Sequence, residues 1–401
     1  MTKADLIIIG AGPAGYRAAE HAAKAGLQVV IMEAGDVGGC CLNVGCIPTK
    51  TYVHSATFDE ARQRMAQVVP ALRAGVESIL AQPGITLVRG RARFSGEHQV
   101  TAGDDYTADH MIIATGSSPR LLPLPDADDP RVVTSTGLLA LERLPKRMAI
   151  IGAGVIGMEF ASVFHRFGTE VTVTEYLKEC LPMLDADIAK RLRKLMEKRG
   201  IAFRMKTAVE RLADIDADTI LMAVGRRPNT EGLGLEETEV RLNGNGTIAT
   251  DDHFLAAPGI YAIGDVNGKQ MLAHAAEMQA LHVVNRIAGR EDGIRFDVMP
   301  AAIFTEPEAA CVGATDGICH KAFWRANGKA QAMGETEGML KLFSEGNEGR
   351  ITGCHAYGTH AAFLIQEVAA LMCRDTTVGQ MRDMTHIHPT LSEVLTAAVW
   401  N

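Results

Sequence analysis

The chain has 401 residues, 47% hydrophobic and 22% charged, with a formal net charge of -8. That length exceeds one ordinary core and implies two or three domains. The balance is acidic with no long basic run, which excludes nucleic acid as a main partner, and no apolar run is long enough to span a bilayer. From Met1 the chain enters an apolar strand with no charged leader or cleavage site before it, so a cytoplasmic location is expected. Eight cysteines stand at 40, 41, 46, 180, 311, 319, 354 and 373, scattered except for the first three. In a long chain without a leader, that cluster points to redox chemistry rather than to a structural framework.

The first predicted unit is a strand Leu6–Ile9, a turn Gly10-Ala11-Gly12-Pro13-Ala14-Gly15, an alanine-rich helix and a strand ending at Glu33. A second copy follows at Met148–Ile151, with Gly152-Ala153-Gly154-Val155-Ile156-Gly157, a helix, and a strand ending at Glu175. In both, the acid lies 23 residues after the first glycine. The first glycine makes a tight turn, the second lets backbone approach a pyrophosphate, and the third lets helix pack on strand. The acid then accepts from a ribose diol. Two purely structural turns are the plainer alternative, but they do not require an acid at that spacing twice. Glu175, followed by Tyr176, Leu177 and Lys178, suits a 2′-hydroxyl and repels a 2′-phosphate, which favours NAD over its phosphorylated analogue.

Between the copies lies Gly38-Gly39-Cys40-Cys41-Leu42-Asn43-Val44-Gly45-Cys46-Ile47-Pro48-Thr49-Lys50. On an ideal helix Cys41 and Cys46 would have Cα atoms roughly 8–9 Å apart, beyond disulfide reach. A bridge therefore needs a distorted turn, which Asn43 and Gly45 make feasible and Pro48 helps to end. Strained bridges of this kind are the catalytic ones. Two reduced, buried cysteines or half a zinc site are the alternatives; a second ligand pair at metal spacing is missing, so no metal is expected. After about residue 250 a return segment reaches about 294. The last hundred residues show strand-like runs at 301–304, 339–343 and 351–357 and a helix near 361–373, without a phosphate-binding signature.

The cysteine segment is similar to that of the class I pyridine nucleotide-disulfide oxidoreductases, and the likeness runs along essentially the whole chain. Ala114-Thr115-Gly116-Ser117, Gly225-Arg226-Arg227-Pro228-Asn229 and Gly259–Asp265 carry it further. Thr385-His386-Ile387-His388-Pro389-Thr390-Leu391-Ser392-Glu393 resembles the dihydrolipoamide dehydrogenase branch, where glutathione reductase usually has serine in place of Leu391. The resemblance implies an α/β fold of two Rossmann-like domains plus a C-terminal α+β dimerisation domain. Their limits are 1–140 for FAD, 141–250 for NAD, 251–294 as the return to the FAD domain, and 295–401 for the interface. It implies FAD and NAD as cofactors, a homodimer, lipoamide as substrate, and service in a 2-oxo acid dehydrogenase complex.

By the same resemblance Cys41 is the interchange thiol and Cys46 faces the flavin. Lys50 lies beside the flavin with Glu159 against it, and His388, oriented by Glu393, is the base serving the other subunit. His386 is expected to be structural or superficial. The implied cofactor contacts are Gly10, Gly12, Gly15, Glu33, Lys50, Ala92, Thr115, Gly116, Ser117, Asp265 and Met271-Leu272-Ala273-His274 for one group. Gly152, Gly154, Gly157, Glu175, Val209 and Gly225 serve the other. Other readings are a different disulfide or metal reductase, or a flavin-binding protein that has lost turnover. Mercuric reductase normally carries a C-terminal cysteine pair, and this chain ends Ala397-Ala398-Val399-Trp400-Asn401. Two departures stand out. Cys40 replaces a common threonine or valine, and the stretch Phe203–Leu221 omits a meander that covers one sheet face, which puts stability or NAD affinity in question.

Overall fold

The computed structural model describes residues 1–346 and 349–400. They fall into two compact units, Met1–Arg120 with Gly225–Ile294, and Leu121–Val224 with Arg295 onward. The sequence-based limits at 140 and 250 lie elsewhere, because contact density sets the units and cofactor contact sets those limits. Among the described residues no helix is long and apolar enough to cross a membrane.

In the first unit β1 (Thr2–Ile9) leads through the glycine turn to α1 (Pro13–Lys24) and β2 (Val29–Glu33). Strand β1 lies between β2 and Asp104–Ile113, parallel to both, with Leu6 opposite Val29 and Ile9 opposite Met32. Leu6, Ile7 and Ile8 are all fully buried, as an unbroken apolar run in a central parallel strand demands. The sheet continues to Ile85–Arg89 on one side and through Ile260–Ala262 to Leu255–Ala257 on the other. Helix α1 buries Ala14, Gly15, Ala18, Ala19 and Ala22, a small-residue face that packs against helix Ala273–Ile287.

Two short helices follow, α2 (Gly39–Val44) and α3 (Cys46–Val53), broken at Gly45. A Cβ on Gly45 would lie 2.8 Å from the carbonyl oxygen of Cys40, so the break needs a residue without one. Asn43 helps hold the turn, donating from Nδ2 to the carbonyls of Val37 and Gly39 at 3.0 and 2.9 Å. Pro48 does not end this turn, contrary to expectation. It sits at the third position of α3, where a helix has no intrahelical partner for an N–H and a missing one costs nothing.

The second unit repeats the pattern as β3 (Arg147–Ile151), α4 (Val155–Arg166) and β4 (Glu170–Glu175). Its parallel sheet runs Ala202–Met205, β4, β3, Thr219–Met222, Val132–Val133. Residues 206–218, where a meander is missing, cover the sheet themselves. Leu212 and Ala217 are buried against Ile151 and Ile220, with Val209, Ile215, Leu122 and Leu124 packed beside them. Arg131 pins this segment by donating to the carbonyls of Leu212, Ile215 and Ala217, while Asp129 holds its guanidinium at 2.6 Å.

The same unit carries an antiparallel sheet in the order Ala301–Ile303, Ala309–Gly313, Arg350–Gly358, Gly338–Glu345, Ile318–Phe323. Helices α5 (Ala361–Met372) and α6 (Glu393–Trp400) cover it, their apolar residues joining one core with Leu340, Leu342 and Ala356. Three of its strands and α5 lie where the sequence puts them.

Arg131→Ala leaves three loop carbonyls without their charged donor. We expect it to lower unfolding free energy by about 1–3 kcal/mol in denaturant titrations, with Arg131→Lys recovering only part because lysine has no planar fork.

Candidate active site

The glycine turn is built twice from the same contacts. Gly10 N–H donates to Met32 O at 2.8 Å, and Gly152 N–H donates to Thr174 O at 2.8 Å. Both glycines have φ of +103°, and a Cβ on either would lie 2.4 Å from a carbonyl of the adjoining strand, Ala114 or Ala223. A Cβ on Gly15 or Gly157 would overlap the carbonyl oxygen of Gly10 or Gly152, at 1.8 and 2.0 Å. The acids match as well. Glu33 accepts from Ala11 N–H at 2.7 Å and from Gly35 N–H at 2.7 Å; Glu175 accepts from Ala153 N–H at 2.6 Å and Leu177 N–H at 2.7 Å.

These turns fit a dinucleotide on three counts. Gly12 and Gly154 are the N-caps of α1 and α4 and supply no side-chain cap, so first-turn amides are left for an anion. A Cβ on Gly154 would meet nothing within 4 Å, so the turn is open on that side. Each acid oxygen holds one amide and keeps lone pairs for ribose hydroxyls.

Around the first turn the distant markers of the sequence meet. Ser117–Pro119 pairs antiparallel with Arg226–Pro228. Thr115 Oγ1 donates to Asn229 O at 2.7 Å, and Asn229 Nδ2 donates back to Thr115 O at 2.9 Å. Ser117 Oγ donates to Asp265 Oδ2 at 2.5 Å. Arg226 donates from Nε to Ser117 Oγ at 2.7 Å, and from Nη2 to Ser117 O at 2.7 Å and Cys40 Sγ at 3.4 Å. Gln279, 1% exposed, accepts from Gly264 N–H and Asn267 Nδ2 and so shapes the turn that carries Asp265. Helix Ala273–Ile287 starts at Leu272 with no side-chain cap, so Met271 to His274 lie at its positive end. Gly116 and Gly225 both take positive φ at the ends of the paired strands. Ala92 is 4% exposed in the core under this sheet, so any contact it makes with a cofactor runs through its backbone. Val209 packs on the second sheet.

Cys41 lies in α2, and Cys46 opens α3 with its sulfur at that helix's N-terminal end, where negative charge is favoured. Cys41 hydrogen-bonds to Cys46, and that bond, with burial next, pushes the Cys41 thiol well above the usual cysteine range. Tyr16 of α1 is pushed up to about 12, first by burial and then by Glu277, and it also feels the charge of Cys41. Lys50 follows Cys46 by one turn on α3. Glu159, in the second unit, is 4% exposed on α4 and accepts from Phe304 N–H at 3.0 Å.

Also in the second unit, His388 Nδ1 lies 2.9 Å from Glu393 Oε1, its side chain 79% exposed. Glu393 also accepts from Thr390 N–H at 2.9 Å. The His388 bond first, then that amide, hold its carboxyl below the usual range. His386, its side chain 8% exposed, bonds Glu367 and Thr396. Gln279, Asn267, Tyr16 and Glu367 join these contacts although the sequence does not single them out. The one available signal is a glutamine on the otherwise apolar buried face Ala275, Ala276, Ala280 and Val283.

The pattern for pyridine nucleotide-disulphide oxidoreductases matches residues 4–280, and that for their dimerisation domain matches 299–399. Dihydrolipoyl dehydrogenase of Chlamydia trachomatis serovar D is 36% identical over 97% of this chain and 95% of its own length. Its alignment spans 440 positions, more than the 401 residues here, so it carries residues this chain lacks. Dihydrolipoyl dehydrogenase 3 of Pseudomonas aeruginosa is 35% identical over 99% of this chain and 97% of its own. Among solved structures, a Cu(II) complex of the HOCl-induced flavoprotein disulfide reductase RclA from Escherichia coli superposes with a TM-score of 0.93 at 30% identity. That match covers 100% of this chain and 99% of RclA. With two dinucleotide turns, FAD and NAD as cofactors and a thiol pair between the turns in sequence, the chain belongs to the pyridine nucleotide-disulphide oxidoreductase family.

Proposed function

We propose that this enzyme is a cytoplasmic, homodimeric dihydrolipoamide dehydrogenase that oxidises dihydrolipoamide and passes its electrons to NAD. The observation carrying this reading is the thiol pair, Cys41 hydrogen-bonded to Cys46 across the break at Gly45. The relatives named dihydrolipoyl dehydrogenase and the sequence His388-Pro389-Thr390-Leu391-Ser392-Glu393 support the substrate. The match of 299–399 to a dimerisation domain supports the dimer. A 2-oxo acid dehydrogenase complex is the proposed setting.

Residues 1–140 with 251–294 would hold FAD through Gly10, Gly12, Gly15, Glu33, Thr115 to Ser117, Asp265 and Met271 to His274, with Lys50 and backbone at Ala92 beside it. Residues 141–250 would hold NAD through Gly152, Gly154, Gly157, Glu175, Val209 and Gly225. Bound FAD supplies the two-electron relay between dithiol and nicotinamide.

In the oxidised enzyme Cys41 and Cys46 would be bridged. The partner subunit's His388 takes a proton from one substrate thiol, and that thiolate attacks Cys41 Sγ. The Cys41–Cys46 bond breaks, and Cys46 leaves as a thiolate, stabilised at the N-terminus of α3. The second substrate sulfur then attacks the first and gives up its proton, Cys41 leaves and takes up a proton, and the lipoamide disulfide closes; of the two substrate protons one ends on Cys41 and the other on the partner's His388. Run backwards, the same exchange needs Cys41 as a thiolate. Its raised ionisation makes an external base necessary, the role given to His388 with Glu393 as orienter. Lys50 and Glu159 are proposed as a charge pair, because a lysine in a desolvated site needs a partner.

A second reading, a reductase for another disulfide or for a metal ion, draws support from the likeness to RclA.

Rates of NADH oxidation with lipoamide, oxidised glutathione and mercuric ion, measured side by side, separate the two. Lipoamide should exceed the others at least tenfold, and Cys46→Ser should abolish that turnover; equal rates in mutant and parent would remove the thiol pair from the reaction. In the NADH-reduced enzyme, His388→Gln should slow iodoacetamide alkylation of Cys41. Because that thiol ionises late, the mutant's rate should keep climbing with pH beyond the usual cysteine range instead of levelling off.

A further inference from the structure

Two histidines stand two positions apart in Thr385–Glu393, and the proposed reaction uses only one. Leu391 anchors the far end of this loop in the core at 9% exposure, but His388 and its neighbour Ile387 are both 79% exposed, so no apolar contact holds the loop at the base itself. Polar contacts must aim it there. Within the loop, Thr390 Oγ1 donates to Ile387 O at 2.7 Å, and Asn327 Nδ2 donates to Thr390 O at 3.0 Å.

The flanks of the loop meet a single carboxylate on α5. Glu367 Oε1 lies 2.8 Å from His386 Nε2, two residues before His388, and Oε2 accepts from Ser392 Oγ at 2.8 Å, next to Glu393. Thr396, one turn into α6, places its Oγ1 2.8 Å from His386 Nδ1. The His386 side chain is 8% exposed. Both ring nitrogens of His386 are taken by hydrogen bonds inside the protein. That leaves no lone pair for a substrate thiol. His386 is thus locked in orientation and is not a second base.

We propose that Glu367, acting through His386 and Ser392, is the positioning residue of the His388–Glu393 dyad. By gripping both flanks, it fixes where the exposed imidazole points and keeps Glu393 in line with it. The inference rests on His388 as base and adds what aims it. Proton transfer demands donor and acceptor within about 0.5 Å of the productive geometry, and a loop freed at both flanks would not hold that.

The test uses FAD-loaded holoenzyme and follows the two half-reactions separately by anaerobic rapid mixing. Glu367→Ala should slow reduction by dihydrolipoamide about 10–100-fold, with Glu367→Gln, which keeps the size and one acceptor, falling between it and the parent. Reduction by NADH should stay within twofold in both. If Glu367→Ala does not fold, Glu367→Gln carries the test alone. Dithiol rates within twofold of the parent in Glu367→Gln and Ala, beside a large loss in His388→Gln, would overturn the inference and leave the base intact. No loss in His388→Gln would remove the base itself. Equal losses in both half-reactions would mark Glu367 as a general structural residue and overturn the proposal.

Discussion

The backbone of Gly39 lies directly on that of Gly12, and the placement of the thiols depends on this contact. A Cβ on Gly39 would stand 2.7 Å from Gly12 Cα, so α2 can start here only with a residue at 39 that has no side chain. Cys40 and Cys41 are the next two residues, and they therefore sit within one turn of the first dinucleotide cradle. A second forced break, at Gly45, turns the chain so that Cys46 opens a new helix instead of continuing the first. Because both constraints are steric and act on backbone, side-chain motion cannot relax them. The geometry of the pair is set before any cofactor arrives.

Holding the thiols this way has an electrostatic consequence. Cys41 is partly buried and shares its proton with Cys46, so it resists ionisation, while Cys46 lies at the positive end of a helix. One sulfur is suited to carry charge and the other to exchange, which is the asymmetry a thiol relay needs. It also leaves the exchanging sulfur dependent on a base from elsewhere. The second unit offers two imidazoles, each against a glutamate. Of these, His388 is exposed and bonded on one nitrogen, while His386 is enclosed and bonded on both. In the proposed reaction, exposure and bonding together leave His388 to move a proton and His386 to hold position.

The same distinction explains what the sequence discloses. Glycine turns are legible because the steric need is local: Gly10 to Gly15 clash within six residues, and the paired acid follows at a fixed helix-plus-strand length. Strands Gly338–Glu345 and Arg350–Gly358 are legible from apolar runs. Strand Ala309–Gly313 is not, since Ala-Ala-Cys-Val-Gly has little β-propensity and owes its conformation to pairing with Arg350–Gly358. Pro48 misleads because proline ends a helix interior but is neutral in a first turn. Contacts such as Arg226 with Cys40, or Glu367 with His386, join residues far apart in the chain and leave no local pattern. Cys40 by itself reads as an idle small residue; only the folded chain shows its sulfur taking a guanidinium hydrogen bond.

Shortening of the second nucleotide region looks at first like a threat to its ligand site, and the geometry argues otherwise. Residues 206–218 fold back with Leu212 buried and three carbonyls bound by Arg131, so the sheet face is covered. The quantity to compare is the cradle itself, since dinucleotide binding depends on tenths of an ångström there. Gly152 and Gly10 bond their neighbouring strands at the same 2.8 Å, and Glu175 and Glu33 accept their turn amides at 2.6 and 2.7 Å. A sheet that had slumped under a missing cover would not keep its turn hydrogen bonds matched to those of the first copy. The trimming therefore stops at the surface layer. A device of one arginine and a few leucines is enough because it packs on Ile151, Met222 and Val224, which flank the contacts of Gly152 with its adjoining strands.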